Sequence, residues 1–350
     1  MQIFYNQRRM TLKKGRKKTE KPSFDIITIG GATEDMSLYT SEGVIIDNKD
    51  DILRQKLLAF EYGAKIKIDK AISTFGGGAA NAAVAFARLG FKVAAYIAVG
   101  DDDRGTRIIS NLRAQQVETK FIEIIKHEDS GFSPAIIGKD NEHIFFSIRG
   151  SNSKLTVGKT ECKDLEQAKW LYLTSLSGDW QPTLKAIFSV RVGKIAWNPG
   201  HIQLNHGKEA LGPYLRRTEV LIVNIDEARE LVMSDAKYRH KNAAFFDRVK
   251  DLLEIIYGWG PKLVVITQGK NGSSAFDGRE VSYVPIREEK RHVNTIGVGD
   301  AFGSSFVAGL EIFDGDVKQA MGLGVRNTSS VVANFGAQTG LIYRSQITKS

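Results

Sequence analysis

NTIGVGDAFGSSF, residues 294–306, begins as a turn and ends as a helix. Gly297 and Gly299 permit backbone angles that other residues avoid, and they remove bulk where a ligand would approach. Behind them Phe302, Phe306 and Leu310 recur every fourth residue, the spacing of a helix with one buried face. The glycines therefore stand at a helix N-terminus, where unpaired N–H groups and the helix dipole favour an anion such as phosphate. Asp300 lies in the same first turn. A carboxylate there repels phosphate, so it is a poor binding residue but a sensible base for a hydroxyl attacking phosphorus. Read alone, the stretch is equally a glycine-rich turn with an aspartate capping the helix.

Working outward, Phe24–Gly31 reads as a buried strand ending in glycines, with Asp35 just beyond it. Ligands of open α/β sheets bind at such carboxyl ends, and two carboxylate oxygens suit neighbouring sugar hydroxyls. A turn-forming aspartate is the plainer alternative. FGGGAANAAVAFARLG, residues 75–90, is an alanine-rich helix opened by Gly76 and Gly77 and closed by Gly90. Asn81 is the polar side chain of its first turns. It either holds ligand hydroxyls together with the Gly76–Gly77 backbone or caps the helix.

From Lys92 onward the pattern alternates strand and helix, with strands at Lys92–Ala98, Lys169–Leu173, Lys194–Trp197, Val220–Val223 and Lys262–Thr267. Repeated βα units imply a parallel sheet covered by helices on both faces. Two blocks depart from it. Val44–Ile46 and Lys65–Asp69 read as short strands around a polar stretch, Asp47–Gln55, that has no clear assignment; Phe132–Ile137 and His143–Ile148 read as a hairpin. Paired, they make a small β layer. Arg149 at its close could bring a cation to the ligand. The resulting division is a basic, disordered tail at 1–23, a core at 24–36, 73–128 and 153–345, and a β lid at 37–72 and 129–152.

Two further strand ends carry polar groups. Asn224 and Glu227 stand three apart at a helix start, as an N-cap with its reciprocal carboxylate also would. Thr267 runs into a glycine loop containing Gly269 and Gly272, and no GxxxxGK[ST] motif occurs in the chain.

Composition excludes several classes. A hydrophobic fraction of 42% over 350 residues suits a globular protein with a large core, and no apolar run is long enough to span a membrane. Cys162 is the single cysteine, which excludes an internal disulfide and fits a reducing, cytoplasmic setting. The net charge of +9 is concentrated in residues 1–21, where eight Lys and Arg face Glu20 alone. With no aromatic residues interleaved among those charges, the tail reads as a solvated leader in preference to a nucleic-acid arm. The six histidines are scattered and form no metal-ligand spacing with Cys162.

Taken in order, the strand carrying Asp35, the GGxxxN helix start, GDDxxG, NxxE, TxG and the C-terminal GxGD closely resemble the ribokinase-like (PfkB) carbohydrate kinases, which include nucleoside kinases. The resemblance covers about residues 24–343. It implies a three-layer, doubly wound, mostly parallel α/β fold with a small β-sheet lid. It also implies ATP as donor and the hydroxymethyl group of a sugar or nucleoside as acceptor.

By matching position, Asp300 resembles the catalytic base, and the N–H groups of Gly297, Val298 and Gly299 the anion hole. Asp35, Gly76, Gly77 and Asn81 resemble the acceptor-binding set. Asn224 and Glu227 resemble the pair near Mg²⁺ and phosphate, Glu227 acting through water. Thr267, Gly269 and Gly272 resemble the nucleotide loop, and Asn327 borders the adenine. Asn294 stands where the family usually has an aspartate that helps bind a monovalent cation, which puts potassium activation in doubt. Val298 replaces the usual alanine. The long 41–72 segment leaves both the acceptor and a homodimer through the lid open. The leading expectation is a sugar kinase, with a nucleoside kinase as the close alternative and a non-catalytic sensor with a nucleic-acid-binding tail behind both.

Overall fold

Strands of Val, Ile and Leu without polar alternation need cover on both faces, and a parallel sheet between two helical layers supplies it. The computed structural model describes residues 22–47, 56–138, 143–287 and 295–347. In chain order the strands are β1 (Phe24–Ile29), β2 (Thr33–Tyr39), β3 (Val44–Asp47), β4 (Lys56–Ala59), β5 (Lys70–Gly76), β6 (Val93–Tyr96), β7 (Ala98–Gly100) and β8 (Glu123–Ile125). They continue as β9 (Gly131–Ile137), β10 (His143–Phe145), β11 (Ala168–Leu173), β12 (Lys194–Trp197), β13 (Val220–Asn224), β14 (Leu263–Thr267), β15 (Ser273–Phe276) and β16 (Val281–Val284). The helices are α1 (Gly78–Arg88), α2 (Asp103–Ala114), α3 (Lys159–Leu165), α4 (Trp180–Ser189), α5 (His201–Leu204) and α6 (Gly207–Leu215). After them come α7 (Ile225–Met233), α8 (Ala243–Phe246), α9 (Val249–Tyr257), α10 (Val298–Ile312) and α11 (Val317–Val332).

Eight strands form the main sheet in the order β16-β15-β14-β13-β12-β11-β1-β6. From β6 to β14 all pairs are parallel, and β15 and β16 extend the far edge antiparallel. That two-strand edge was not read from the sequence; its residues follow Gly272 as a short, mixed stretch. Alternation along each strand feeds two cores. Ile26, Tyr172, Ile222 and Val265 pack with Phe86 of α1 and Phe302 and Phe306 of α10. Ile27, Leu171, Val223 and Ile266 pack with Leu184, Leu211, Leu231 and Leu253 of α4, α6, α7 and α9.

A second sheet runs β10-β9-β2-β5, with β2 parallel to β9 and antiparallel to β5. Two expectations change here. Asp35 lies within β2, on the small sheet, and not in a turn of the core. The alternating Lys65–Asp69 is not a strand; pairing with β2 begins at Lys70, opposite Tyr39. The reason is local. Where β2 ends, Thr40 Oγ1 donates to the Lys67 carbonyl at 2.8 Å and Asp69 accepts from the Ser41 N–H at 3.0 Å, so side chains take the bonds a ladder would use. The β3–β4 hairpin stands apart from this sheet. Most of the polar stretch at 47–55, the basic tail through residue 21 and Asn294 lie outside the described residues. Among the described residues no helix is long and apolar enough to cross a membrane.

Candidate active site

The carboxyl ends of β1, β11, β13 and β14 point toward one edge of the main sheet, and α10 begins there. Gly297 caps it with φ 73°, a left-handed angle suited to glycine; a Cβ there would stand 2.3 Å from Ala337 Cβ. The first N–H groups of α10 have no carbonyl partner within the helix, so they are available to an anion. Asp300, half-buried in this turn, accepts from Asn81 Nδ2 at 2.8 Å. Burial pushes its carboxyl up from the ordinary value, and the Asn81 bond pulls it back.

Asp35 faces the same place from the small sheet. It is 6% exposed, and Thr33 Oγ1 donates to its Oδ1 at 2.7 Å. Burial raises its pKa to about 6; hydrogen bonds from Thr33 and Ser133 lower it, while the charges of Asp300 and Glu34 raise it further. Two carboxylates that feel each other thus meet, one from the small sheet and one from the first turn of α10. Gly76 ends β5 directly under Asp35: a Cβ there would lie 2.0 Å from Asp35 Oδ2. A Cβ on Gly77 would meet Ala32 Cα at 2.5 Å, and its φ is 89°. These glycines let the helix start pass beneath the β1–β2 connection.

Asn81 does not cap the helix. Gly77 occupies the N-cap of α1, and Asn81, 3% exposed, spends its amide on Asp300 and Gln338. Arg149 is exposed at the start of a tight turn, and among the described residues no bond joins it to Asp35, Asn81 or Asp300.

The other flank of α10 borders a cavity of about 320 Å³. Thr267, Gly269 and Gly272 line one wall, Val298, Gly299 and Phe302 another, and Val325, Thr328, Ser329 and Val332 of α11 a third. Asn327 is not in that lining. It is fully buried, donating to Ser305 Oγ at 2.5 Å and accepting from the Ile342 N–H at 2.9 Å, because its position on α11 faces α10 and the chain end. Asn224 sits beside Thr267 in strand register.

Asn224 and Glu227 form a reciprocal cap on α7: Glu227 N–H donates to Asn224 Oδ1 at 2.9 Å and Asn224 N–H to Glu227 Oε2 at 2.8 Å. Burial raises Glu227 despite that bond. One carboxylate oxygen is left without a protein partner among the described residues, so the cap and a water-mediated approach to a cation are compatible. No group of three or more His, Cys, Asp or Glu placed to hold a metal occurs among the described residues.

Sequence reasoning missed several supports. Glu34, on the opposite face of β2 from Asp35, accepts from Ser73 Oγ at 2.7 Å and Arg107 Nη2 at 2.6 Å, tying α2 to the small sheet. Asp102 of the GDD stretch caps α2 through the Gly105 N–H at 2.8 Å. Asn152 brackets Ala32, its Oδ1 accepting from the Ala32 N–H at 2.9 Å and its Nδ2 donating to the Ala32 carbonyl at 2.8 Å. Gln338 gave no signal beyond lying between Gly336 and Gly340.

Comparison with known proteins gives a consistent picture. The model of the pfkB family carbohydrate kinases matches residues 48–342. A ribokinase of Bacillus subtilis is 27% identical over 279 residues, 78% of this chain and 86% of the relative. A cytidine kinase of Thermococcus kodakarensis is 25% identical over 272 residues, 75% of this chain and 88% of the relative. Among solved structures, Arabidopsis thaliana ribokinase complexed with ribose and ATP superposes with a TM-score of 0.75 at 18% identity, covering 93% of this chain and 97% of that one.

Proposed function

The chain belongs to the pfkB family of carbohydrate kinases, phosphotransferases acting on alcohol groups, and we propose that it moves the γ-phosphoryl of ATP to a hydroxymethyl group of a sugar or sugar derivative. One observation carries this reading: Asp300 stands in the first turn of α10, bonded to Asn81 and electrically coupled to Asp35, while the next flank of that turn lines a separate cavity.

Asp35 binds acceptor hydroxyls, and Gly76 and Gly77 let them approach the backbone. Asp300 takes the proton of the hydroxymethyl group as its oxygen bonds to phosphorus; the bond from phosphorus to the bridging oxygen breaks and ADP leaves. The N–H groups of Gly297, Val298 and Gly299 hold the charge on the transferring group. Thr267, Gly269 and Gly272, with Asn224, hold the nucleotide. Glu227 would hold Mg²⁺ through water, and that ion supplies charge neutralisation at the phosphates. The small sheet acts as a lid that keeps water from competing as acceptor.

A sugar is favoured over a nucleoside by the face of the small sheet around Asp35. The neighbours nearest Asp35 there, Thr33, Ser37, Thr74 and Ser133, are small and polar and offer hydroxyls, while the aromatic pair of Tyr39 and Phe335 stands farther along β2. ADP release across a panel of sugars, sugar acids, sugar phosphates and nucleosides, with and without K⁺, tests this. Turnover is expected with a compound bearing a hydroxymethyl group on a polyol. Turnover with nucleosides alone replaces the sugar reading, and no turnover with any member removes the kinase reading.

A further inference from the structure

Gln338, in the loop after α11, is 7% exposed and bonded at both ends of its amide. Its Nε2 donates to Asn81 Oδ1 at 3.0 Å, and its Oε1 accepts from Asn111 Nδ2, on α2, at 2.9 Å. Asn81 Nδ2 in turn donates to Asp300 Oδ2. Three amides thus run head to tail from α2 to the carboxylate. Their direction follows from the last member. An ionised carboxylate only accepts, so Asn81 must present its NH₂ to Asp300; its oxygen then faces Gln338, whose NH₂ must point back and whose oxygen must meet the NH₂ of Asn111. Arg88 Nη1 pins the loop by donating to the carbonyls of Gln338 and Leu341, at 2.8 and 2.9 Å.

An amide with a single polar partner can turn over at little cost. Without Gln338, Asn81 is free to offer its oxygen to Asp300, setting two acceptors face to face. We infer that Gln338 is a positioning residue for phosphoryl transfer, which by locking the Asn81 amide holds Oδ2 of Asp300 in place and leaves Oδ1 to take the acceptor's proton. Oδ1 lies over Gly78, where a Cβ would stand 3.2 Å away, so the space beside it is kept narrow but free of side chain. This inference rests on the proposed role of Asp300.

The titratable groups that couple to Asp300 are Asp35 from β2 and Tyr172 from β11; α1 and the 336–340 loop face it with the neutral Asn81 and Gln338. A change at Gln338 therefore reaches Asp300 without adding a competing charge, provided the replacement is neutral. Gln338→Leu removes the donor to Asn81. Gln338→Glu keeps an acceptor for Asn111 and presents a second acceptor to the Asn81 oxygen, but its charge also raises Asp300 directly, so the neutral Gln338→Leu decides.

The test is the pH profile of kcat, with ATP and the best acceptor of the panel, for the full chain and for Gln338→Leu, Gln338→Glu and Asp300→Asn, with thermal melts alongside. In Gln338→Leu the acid limb of kcat is expected to move up by about one pH unit, with kcat on that limb down about tenfold and the KM for ATP unchanged. Gln338→Glu is expected to move it further in the same direction. A residue that merely braces the loop lowers Tm and leaves the limb where it was. That result, with Asp300→Asn inactive, overturns the inference and spares the base. Full turnover in Asp300→Asn overturns the base and the inference together. Should Gln338→Leu fail to fold, Asn111→Leu, which frees Gln338 from the other end, must move the limb in the same direction or the inference fails.

Discussion

On one flank of the first turn of α10, Asp300, Asn81, Gln338 and Asp35 are bonded on almost every polar atom; on the other, Val298, Gly299 and Phe302 look into a cavity of about 320 Å³. The same glycine-rich turn serves both. On the crowded flank glycines are close-approach residues, as Gly76 is beneath Asp35 and Gly297 beside Ala337. On the open flank a Cβ on Gly299 would meet nothing within 4 Å. Chemistry that depends on the placement of a proton needs the rigid arrangement. The proposed nucleotide, large and flexible, needs only backbone and apolar walls, which tolerate more freedom.

Removing the proposed base, Asp300, is the hardest test of that contrast. Asp300→Asn is expected to lower kcat by at least about 10²-fold while the KM for ATP stays within a few-fold, since the carboxylate serves the acceptor's proton and not the donor. A comparable loss of ATP affinity in this variant, measured by titration calorimetry, would put Asp300 on the donor side and erase the contrast.

Asp35 comes next, and its effect has a sign that depends on pH. Its folded value of about 6 lies above the ordinary 3.8, so ionising it costs folding stability. The cost is absent below about pH 4, grows between pH 4 and 6, and is complete above about pH 6. Asp35→Asn should therefore be more stable than the parent at pH 7.5, by roughly 1–3 kcal/mol, with the gap closing toward pH 4. The same variant should raise the acceptor KM about tenfold or more, and in the parent acceptor binding should weaken as pH falls through about 6. Stability given up for binding is the expected mark of a functional carboxylate. An Asn variant no more stable than the parent in denaturant melts would mean that the Asp35 charge is already compensated.

The sequence carried the core of this arrangement and little of its support. GxGD followed by Phe302 and Phe306, and GG followed by an alanine helix, announce themselves because a turn and a 3.6-residue period sit side by side. The parallel strands were legible because burial on both faces makes them continuously apolar. The small sheet was harder. β2 holds Thr33, Glu34, Asp35 and Ser37, a composition that reads as loop, and it becomes a strand only through partners about 40 and 100 residues away. Gln338 was illegible for a related reason: its meaning lies in Asn81 and Asn111, 257 and 227 positions distant. Asn327 misled because a polar residue on α11 near the nucleotide wall is one helical step from the lining residues Thr328 and Ser329 yet points to Ser305.

The two flanks separate most cleanly under one substitution made twice. Gly76→Ala puts a methyl where Asp35 Oδ2 stands, 2.0 Å from the new carbon, and Thr33 and Ser133 hold that carboxylate from moving aside. Overpacking of this kind costs about 1–3 kcal/mol, so the acceptor KM should rise roughly tenfold with the ATP KM unchanged. Gly299→Ala adds the same methyl facing the cavity, at a helical position where alanine is the better helix former. It keeps the N–H that the anion needs. Its expected effect is the smallest: an ATP KM changed by less than about threefold, no change in acceptor KM, and a Tm equal to or above the parent's. If Gly299→Ala instead cost as much as Gly76→Ala, the donor flank would have to close tightly around that backbone when nucleotide binds, and its openness in the free protein would be a property of the unliganded state alone.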